Sequence, residues 1–182
     1  MTFPLLKPWR QYSENDVINL YALDASSGNR GTFVSPTFFD PDNHTSFGAS
    51  LPGTPSYAYS ADMVVTAHVT PTTSGTRALG MMLYDVRLNL PYLNIPANVA
   101  DETRLAEQQV IPSGRAVPLV TRGLFEYGGF SGTPGPGSGA YISNTTAGQI
   151  VVGLPLAGQA NRVGTWLSNS GVDGYALLKV EL

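Results

Sequence analysis

Residues 107–129 read EQQVIPSGRAVPLVTRGLFEYGG, and this stretch points most directly to the fold. Apolar residues, several of them β-branched or aromatic, alternate on both sides of Pro112-Ser113-Gly114. Such alternation around a turn containing Pro and Gly is typical of two neighbouring β-strands. The stretch therefore predicts a strand pair joined at residues 112–114, and with it a small β-barrel. It carries no catalytic or ligand-binding signature, so the function has to be sought elsewhere in the chain.

The composition predicts a β-rich chain with many turns. The 182 residues suffice for one domain with a core. The 20 glycines and 14 prolines exceed their usual combined share of about 12%, which indicates many turns between short strands. Only 13% of the residues are charged, against an ordinary share of about 25%. Uncharged polar residues and glycine must then cover much of the surface, which suits a protein held in lasting contact with a partner.

Several function classes are disfavoured by the charge and composition. The net charge is −3 and no lysine or arginine cluster occurs, so binding to nucleic acid through its phosphates is not expected. Without cysteine, the chain has no disulfide and no thiolate nucleophile, which fits assembly in a reducing cytoplasm. Residues 1–11 lack the pattern of a secretory signal, and no apolar stretch approaches a membrane span in length.

Residues 1–16 are expected to form an extended arm. Pro4 and Pro8 forbid a regular helix and interrupt a strand ladder. Between and around them lie four large apolar candidates for protein contact: Phe3, Leu5, Leu6 and Trp9. These side chains must be buried, either against the core of the same chain or against a neighbouring subunit, and the sequence leaves both readings open.

Residues 17–182 are expected to form a single β-barrel domain. Short apolar runs bounded by Gly, Pro or Asn predict its strands at 16–24, 30–35, 63–70, 77–88, 140–143, 149–154, 161–167 and 174–181. In the last run, alternation places Lys179 and Glu181 on one face and Leu178 and Val180 on the other. The predicted fold class is mainly β: a compact barrel or sandwich with an extended N-terminal arm and at most one short helix. Residues 98–109 could form that helix, and the sequence does not decide it.

Residues 36–62 interrupt this domain with a long insertion that is rich in Pro, Gly, Ser and aromatic residues. A stretch of this length without periodicity is unusual in a compact domain and is often functional or ordered by a partner. Its aromatic residues are further candidates for protein contact: Phe38, Phe39, Phe47, Tyr57 and Tyr59.

No motif for catalysis, a metal or a cofactor stands out. Asp40, Asp42 and His44 alternate as Ca²⁺ ligands would, but no glycine or bidentate glutamate follows at EF-hand spacing, so an Asx-rich turn is expected. No Gly-x-Ser-x-Gly elbow occurs, and the glycine-rich residues 128–139 lack the Lys-Ser/Thr of a phosphate loop. The sequence therefore predicts a protein that is not an enzyme and holds neither metal nor cofactor.

The order of the pieces resembles the small β-barrel decoration, or cement, proteins of tailed-bacteriophage capsids. The pieces are GTFV, RALGMMLYDV, VIPSGRAVPLVTRGLFEY, SGAYISNTTAGQIV and NRVGTWLSNSGVDGYALLKVEL. They carry turn glycines and apolar alternation in the family's order, at residues 80–85, 114–123, 139–148 and 163–168. The resemblance covers roughly residues 19–182, and the segments 36–62 and 90–109 are additions to it.

The resemblance implies a virion structural protein assembled in the host cytoplasm. Such a protein lies on the outer capsid surface, binds the major capsid protein and stabilises the shell by bridging capsomers. Local threefold axes of a capsid lattice favour a homotrimer, with neither nucleic acid nor membrane as partner. The alternative is a receptor- or glycan-binding module of a phage fibre or spike, in which exposed aromatics stack on sugars, here around Phe38, Phe39 and residues 40–43.

Overall fold

The computed structural model describes residues 5–38, 67–73, 75–88, 109–153 and 161–182. In these ranges the chain forms β-strands and one 3-10 turn, η1 (Glu14–Asp16), with no α-helix. The strands are β1 (Leu6–Gln11), β2 (Val17–Ile18), β3 (Ala22–Leu23), β4 (Phe33–Phe38), β5 (His68–Pro71), β6 (Gly80–Met82), β7 (Asp85–Arg87), β8 (Val110–Pro112), β9 (Leu119–Val120), β10 (Arg122–Tyr127), β11 (Phe130–Ser131), β12 (Gly139–Ile142), β13 (Ile150–Val152), β14 (Arg162–Trp166) and β15 (Ala176–Glu181). The mainly β fold class predicted from the sequence is confirmed. The undecided helix at 98–109 lies, but for its last residue, outside the described residues.

Seven strands form the larger sheet, in the order β1-β10-β15-β14-β12-β13-β11. One face of this sheet is buried and the other meets solvent, as β15 shows. Ala176, Leu178 and Val180 are buried, whereas Lys179 and Glu181 between and after them are exposed. The alternation predicted for this run is confirmed, because a strand buried on one face needs apolar residues only at every second position.

Six strands form a second, curled sheet, in the order β2-β9-β6-β4-β5-β3. Its two end strands, β2 and β3, are separated in sequence only by residues 19–21. Ala22 in β3 forms a bridge with Ala116, just ahead of β9, and the carbonyl of Tyr21 accepts a hydrogen bond from the N–H of Val117 at 2.8 Å. The sheet therefore curls until its ends meet, which is the barrel-like part of the fold.

The middle of the curled sheet is buried on both faces. Phe33, Met81 and Val120 belong to the larger core cluster, which the larger sheet shares. Their neighbours Val34, Met82 and Leu119 belong to a smaller cluster, built almost entirely from the curled sheet's own residues. The smaller cluster thus lies inside the curl, and the larger one lies between the two sheets.

The predicted hairpin across residues 112–114 is wrong. β8 pairs in parallel with β7, β9 pairs with β2 and β6, and β10 pairs with β1 and β15. A turn does form, since the Arg115 N–H donates to the Pro112 carbonyl at 3.2 Å. However, residue 116 then pairs with Ala22 rather than with β8, and Gly123, at φ 153°, marks the start of the larger sheet's β10. These three strands belong to three different sheets: the two-stranded sheet of β7 and β8, the curled sheet and the larger sheet. The stretch connects the three sheets instead of forming one strand pair.

Strand boundaries follow the prediction closely in the larger sheet and less closely in the curled one. The predicted run 16–24 is two short strands, β2 and β3, separated by the exposed Asn19 and Leu20. The run 77–88 is likewise divided, because β6 belongs to the curled sheet and β7 pairs with β8. In both cases the chain changes pairing partner within one apolar run, and alternation alone does not reveal such a change.

Candidate interaction surface at the N-terminal strand

Residues 6–11 of the predicted arm form β1, an edge strand of the larger sheet. β1 runs antiparallel to β10, with Leu6 opposite Tyr127 and Gln11 opposite Leu124, and the register shifts between Leu6 and Arg10, around Pro8. The side chain of Leu6 is 0% exposed within the larger core, and Leu5 packs half-buried against it. For Leu5 and Leu6 the structure therefore favours burial against the chain's own core, and Leu6 offers no surface to a partner.

For the other contact candidates, the structure describes either the backbone alone or nothing. Only the backbone is described for Trp9, in the middle of β1, and for Phe38, which ends β4 opposite His68. Outside the described ranges lie Phe3, Phe39, Phe47, Tyr57 and Tyr59, together with the residues weighed as a Ca²⁺ site, Asp40, Asp42 and His44. The insertion at 36–62 is described only as far as residue 38.

A cluster of four side chains, here named the Lys7 cluster, locks β1 to the rest of the larger sheet. Its members are Lys7, Glu126, Asp173 and Tyr175. The Lys7 ammonium lies 3.0 Å from Oε2 of Glu126 in β10 and donates a hydrogen bond to the carboxylate of Asp173. It also lies 4.7 Å from the centre of the Tyr175 ring, a cation–π distance. One cation therefore joins β1, β10 and the connection between β14 and β15.

The Lys7 cluster shifts the pKa of two of its members in the direction of the charged forms. Hydrogen bonds to Asp173 and then Glu126 raise the pKa of Lys7. The hydrogen bond from Lys7, supported by the backbone N–H of Tyr175, lowers the pKa of Asp173. Both groups are therefore ionised around neutral pH and neutralise each other.

The Lys7 cluster forms one side of an open depression with a volume of about 450 Å³. Its polar lining combines one ammonium, two carboxylates and the side chain of Asn169. Ser168 is already engaged, because its hydroxyl accepts from the N–H of Leu177 and donates to the carbonyl of Asn169, both at 2.9 Å. Such a lining can hydrogen-bond hydroxyl groups, but it contains no nucleophile held by a base.

The sequence gives no sign of this cluster. Lys7 and Asp173 are separated by 166 positions in the sequence. No local pattern brings such distant residues together; only the strand order of the larger sheet does. The outward register of Lys7 and Glu126 could have been read from alternation, but the pairing of β1 with β10 could not.

Other charged side chains in the described ranges also pair with neighbours. Lys179 contacts Glu181 on the exposed face of β15, and Arg87 lies 3.6 Å from Asp85 on β7. Ion pairs this exposed contribute only about 0–1 kcal/mol each to stability. Neither pair therefore decides the fold.

Comparison with protein-family models, with curated proteins and with solved structures found no match to this chain. Within the described ranges, no group of three or more His, Cys, Asp or Glu side chains could hold a metal ion. A search of the same residues found no helix with the length and apolarity needed to cross a membrane.

Proposed function

We propose that this chain is a virion structural protein that binds the outer surface of a bacteriophage capsid and bridges neighbouring capsomers. The observation that supports this best is the locked N-terminal strand. Lys7 joins β1 to β10 and to the connection between β14 and β15, so β1 is held on the larger sheet. Phe3, which precedes β1 in the sequence, is an apolar candidate for contact with a neighbour.

The proposed mechanism is mechanical rather than chemical. A β domain with its own core sits on the shell, and apolar side chains are buried at the joints between capsomers. Burial of one large aromatic group contributes on the order of 2 kcal/mol or more. Each copy adds a modest stabilisation, and capsid symmetry multiplies it. The proposal requires no cofactor, metal or catalytic residue.

The partner in this proposal is the major capsid protein, and the chain itself is a homotrimer. A surface with few charges opposes self-association only weakly, and a capsid lattice offers local threefold positions. Light scattering with and without shells tests the trimer. A monomer under both conditions would remove the trimer from the proposal and leave capsid binding untouched.

Co-sedimentation with capsid shells that lack the protein tests the proposed function. Since few charges are available, binding should hardly change when salt is raised to about 0.5 M, where the Debye length falls to roughly 4 Å. Trp9→Ala should weaken binding more than Lys179→Ala, a matched change of an exposed charged residue. If salt released the wild type from the shells, the contact would be ionic. If Trp9→Ala also bound normally, the contact would not involve Trp9.

A receptor- or glycan-binding module of a fibre or spike is the second candidate. The depression beside the Lys7 cluster favours it, because ammonium, carboxylate and amide groups there face the same open space. A glycan array of the purified chain tests this candidate. Binding of a defined sugar that Asp173→Asn abolishes would favour the module over the capsid protein.

A further inference from the structure

The solvent face of the larger sheet carries a row of four side chains, here named the outer band: Arg122, Glu181, Arg162 and Tyr141. Arg122 of β10 lies opposite Glu181 of β15, and on the next two strands Arg162 of β14 lies opposite Tyr141 of β12. The three charged residues are exposed and Tyr141 is half-buried. Since neighbouring strands lie about 4.8 Å apart, the outer band is roughly 14 Å long.

The ring of Tyr141 occupies the place that a side chain at residue 139 would take. A Cβ built on Gly139 would lie 2.7 Å from Cε2 and 2.8 Å from the phenol oxygen of Tyr141. The two residues are two positions apart in β12, so they face the same side of the sheet. The ring therefore leans along the strand over the glycine, and its exposed part offers an aromatic surface at the end of the outer band.

The outer band is positively charged in an acidic chain. Among the described residues, neither Arg122 nor Arg162 forms an ion pair, whereas Glu181 contacts Lys179. The hydrogen bond from Lys179 lowers the pKa of Glu181, and the charges of Arg162 and Arg122 lower it further, so all three cations lie near this one carboxylate. Three cations and one carboxylate leave a local net charge of +2, although the whole chain carries −3.

The guanidinium of Arg162 is held in position by its own strand. Its Nε donates to the carbonyl of Gly164 at 3.2 Å, and one Nη donates to the hydroxyl of Thr165 at 2.6 Å. These contacts use two of its five N–H donors, and the others have no acceptor among the described residues. A guanidinium fixed in this way can bind a carboxylate through charge-assisted hydrogen bonds with little further loss of conformational entropy.

The chemistry of the outer band fits an acidic saccharide. The apolar C–H face of a sugar ring packs against an aromatic ring such as that of Tyr141, and a carboxylate on the sugar pairs with Arg162. The carboxylate of Glu181 can accept hydrogen bonds from sugar hydroxyls. The same carboxylate would repel the phosphates of a nucleic acid, and a single ring would provide only one position for base stacking.

We propose that the outer band binds a saccharide that carries carboxylate groups, with one sugar ring on Tyr141 and its carboxylate on Arg162. Arg122 lies two strands away, about 10 Å, and can bind a second carboxylate of the same saccharide. This site goes beyond the proposed capsid contact. It is also separate from the depression beside the Lys7 cluster, because no residue of the outer band lines that depression.

An array of neutral and carboxylate-bearing glycans, probed with the purified chain, tests the proposal. Binding should be confined to glycans with carboxylates. For the glycan bound most tightly, Arg162→Ala and Tyr141→Ala should each raise the Kd at least about ten-fold, because each removes a direct contact. Tyr141→Phe keeps the ring and should bind as the wild type. Arg77→Ala is the matched control, since Arg77 is exposed between β5 and β6 of the curled sheet.

Gly139→Ala tests the placement of the ring without removing it. The new methyl group would push the end of the Tyr141 ring away from the sheet, and the backbone at residue 139 is outside the left-handed region, so alanine can adopt it. We expect the Kd to rise about three-fold or more. The Tm of Gly139→Ala and of Arg162→Ala should stay close to that of the wild type, because a flexible ring end can move and Arg162 is exposed.

Four results would overturn the proposal. The first is no binding to any glycan with a carboxylate, and the second is equal effects of Arg162→Ala and Arg77→Ala. The third is equally tight binding of neutral glycans, which would show that the arginines are not used. The fourth is tighter binding of poly-glutamate or of single-stranded DNA, which would assign the outer band to an acidic protein or to nucleic acid. Asp173→Asn should leave glycan binding unchanged, and a loss of binding would place the sugar in the depression instead.

Discussion

The larger sheet and the curled sheet are built from similar residues, yet they show different sequence patterns. In β15 of the larger sheet, buried and exposed residues alternate, because one face meets the core and the other meets solvent. In β6 and β9 of the curled sheet every residue is buried, because one face lines the curl and the other packs on the larger sheet. Alternation therefore reports burial on one face, and it disappears where a sheet is enclosed on both.

The two cores also differ in the side chains that fill them. The larger core contains aromatic rings in contact: the rings of Tyr127 and Trp166 are 6.4 Å apart between centres, and those of Phe33 and Tyr127 are 6.0 Å apart. The smaller core holds one methionine and aliphatic residues as its buried members. When a neighbouring side chain is shortened, a flexible thioether can move into the space left behind, whereas a rigid ring cannot. The comparison of Leu178→Ala with Leu119→Ala below depends on this difference.

Gly164→Ala should have the largest effect on stability. A Cβ at this position in β14 would lie 2.0 Å from the backbone carbonyl oxygen of Lys179 in β15. Backbone cannot move aside as a side-chain end can, so the central pair of the larger sheet must separate. The expected loss is at least about 4 kcal/mol in the free energy of unfolding, measured by urea denaturation.

Gly75→Ala is the control for this substitution, because no atom of the described residues would lie within 4 Å of the new Cβ. Its free energy of unfolding should stay within about 0.5 kcal/mol of the wild type. Equal effects of the two substitutions would show that β14 and β15 are not packed as closely as described.

Leu178→Ala and Leu119→Ala compare the two cores with one chemical change, since both side chains are 0% exposed. Leu178 lies opposite Phe125 and Trp166, whose rings cannot fill the space left behind. Leu119 lies opposite Met82, a flexible side chain that can. We expect losses of about 4 kcal/mol for Leu178→Ala and about 3 kcal/mol for Leu119→Ala. A reversed order in urea denaturation would contradict this view of the two cores.

Tyr127→Phe and Thr72→Val should stabilise the protein. Among the described residues, neither buried hydroxyl has a hydrogen-bond partner, and burial alone raises the pKa of Tyr127. Each substitution keeps the shape and removes an unsatisfied polar group, for an expected gain of about 1 kcal/mol. Lower stability of either variant in urea would show that its hydroxyl has a partner, a bound water included.

The smallest effect is expected from Lys7→Met, through the pH dependence of stability. The pKa of Lys7 is raised from 10.5. The contribution of its charged form to the free energy of unfolding is therefore present below pH 10.5 and is lost as pH rises through the raised pKa. The pKa of Asp173 is lowered from 3.8. The contribution of its ionised form to the free energy of unfolding is therefore present above pH 3.8 and is lost as pH falls through the lowered pKa.

The Tm difference between wild type and Lys7→Met should therefore be constant between about pH 5 and pH 9 and vanish at the two extremes. Both side chains are partly exposed and screened by solvent, so the difference should be small. A difference that persists unchanged at pH 2 would show that Lys7 acts through packing of its aliphatic stem.

The sequence predicted the mainly β class and the strands β12 to β15 because each of these lies in an apolar run with turn residues on both sides. The sequence failed where pairing is non-local. The partners of β8, β9 and β10 belong to three sheets, and no feature of residues 107–129 indicates which strand each will meet. The Lys7 cluster depends on the pairing of β1 with β10, so it could be read only from the structure.

Two N-terminal truncations test the central claim that Leu6 anchors β1 in the fold while apolar residues at the N-terminal end of the chain serve contact. If residues 1–16 were only a docking arm, removal of residues 1–12 would leave a folded barrel that no longer binds shells. The structure places Leu6 in the larger core, so we now expect this truncation to lower the Tm strongly, whereas removal of residues 1–4 should leave the Tm unchanged and weaken co-sedimentation with capsid shells. Wild-type binding after removal of residues 1–4, or an unchanged Tm after removal of residues 1–12, would contradict the account.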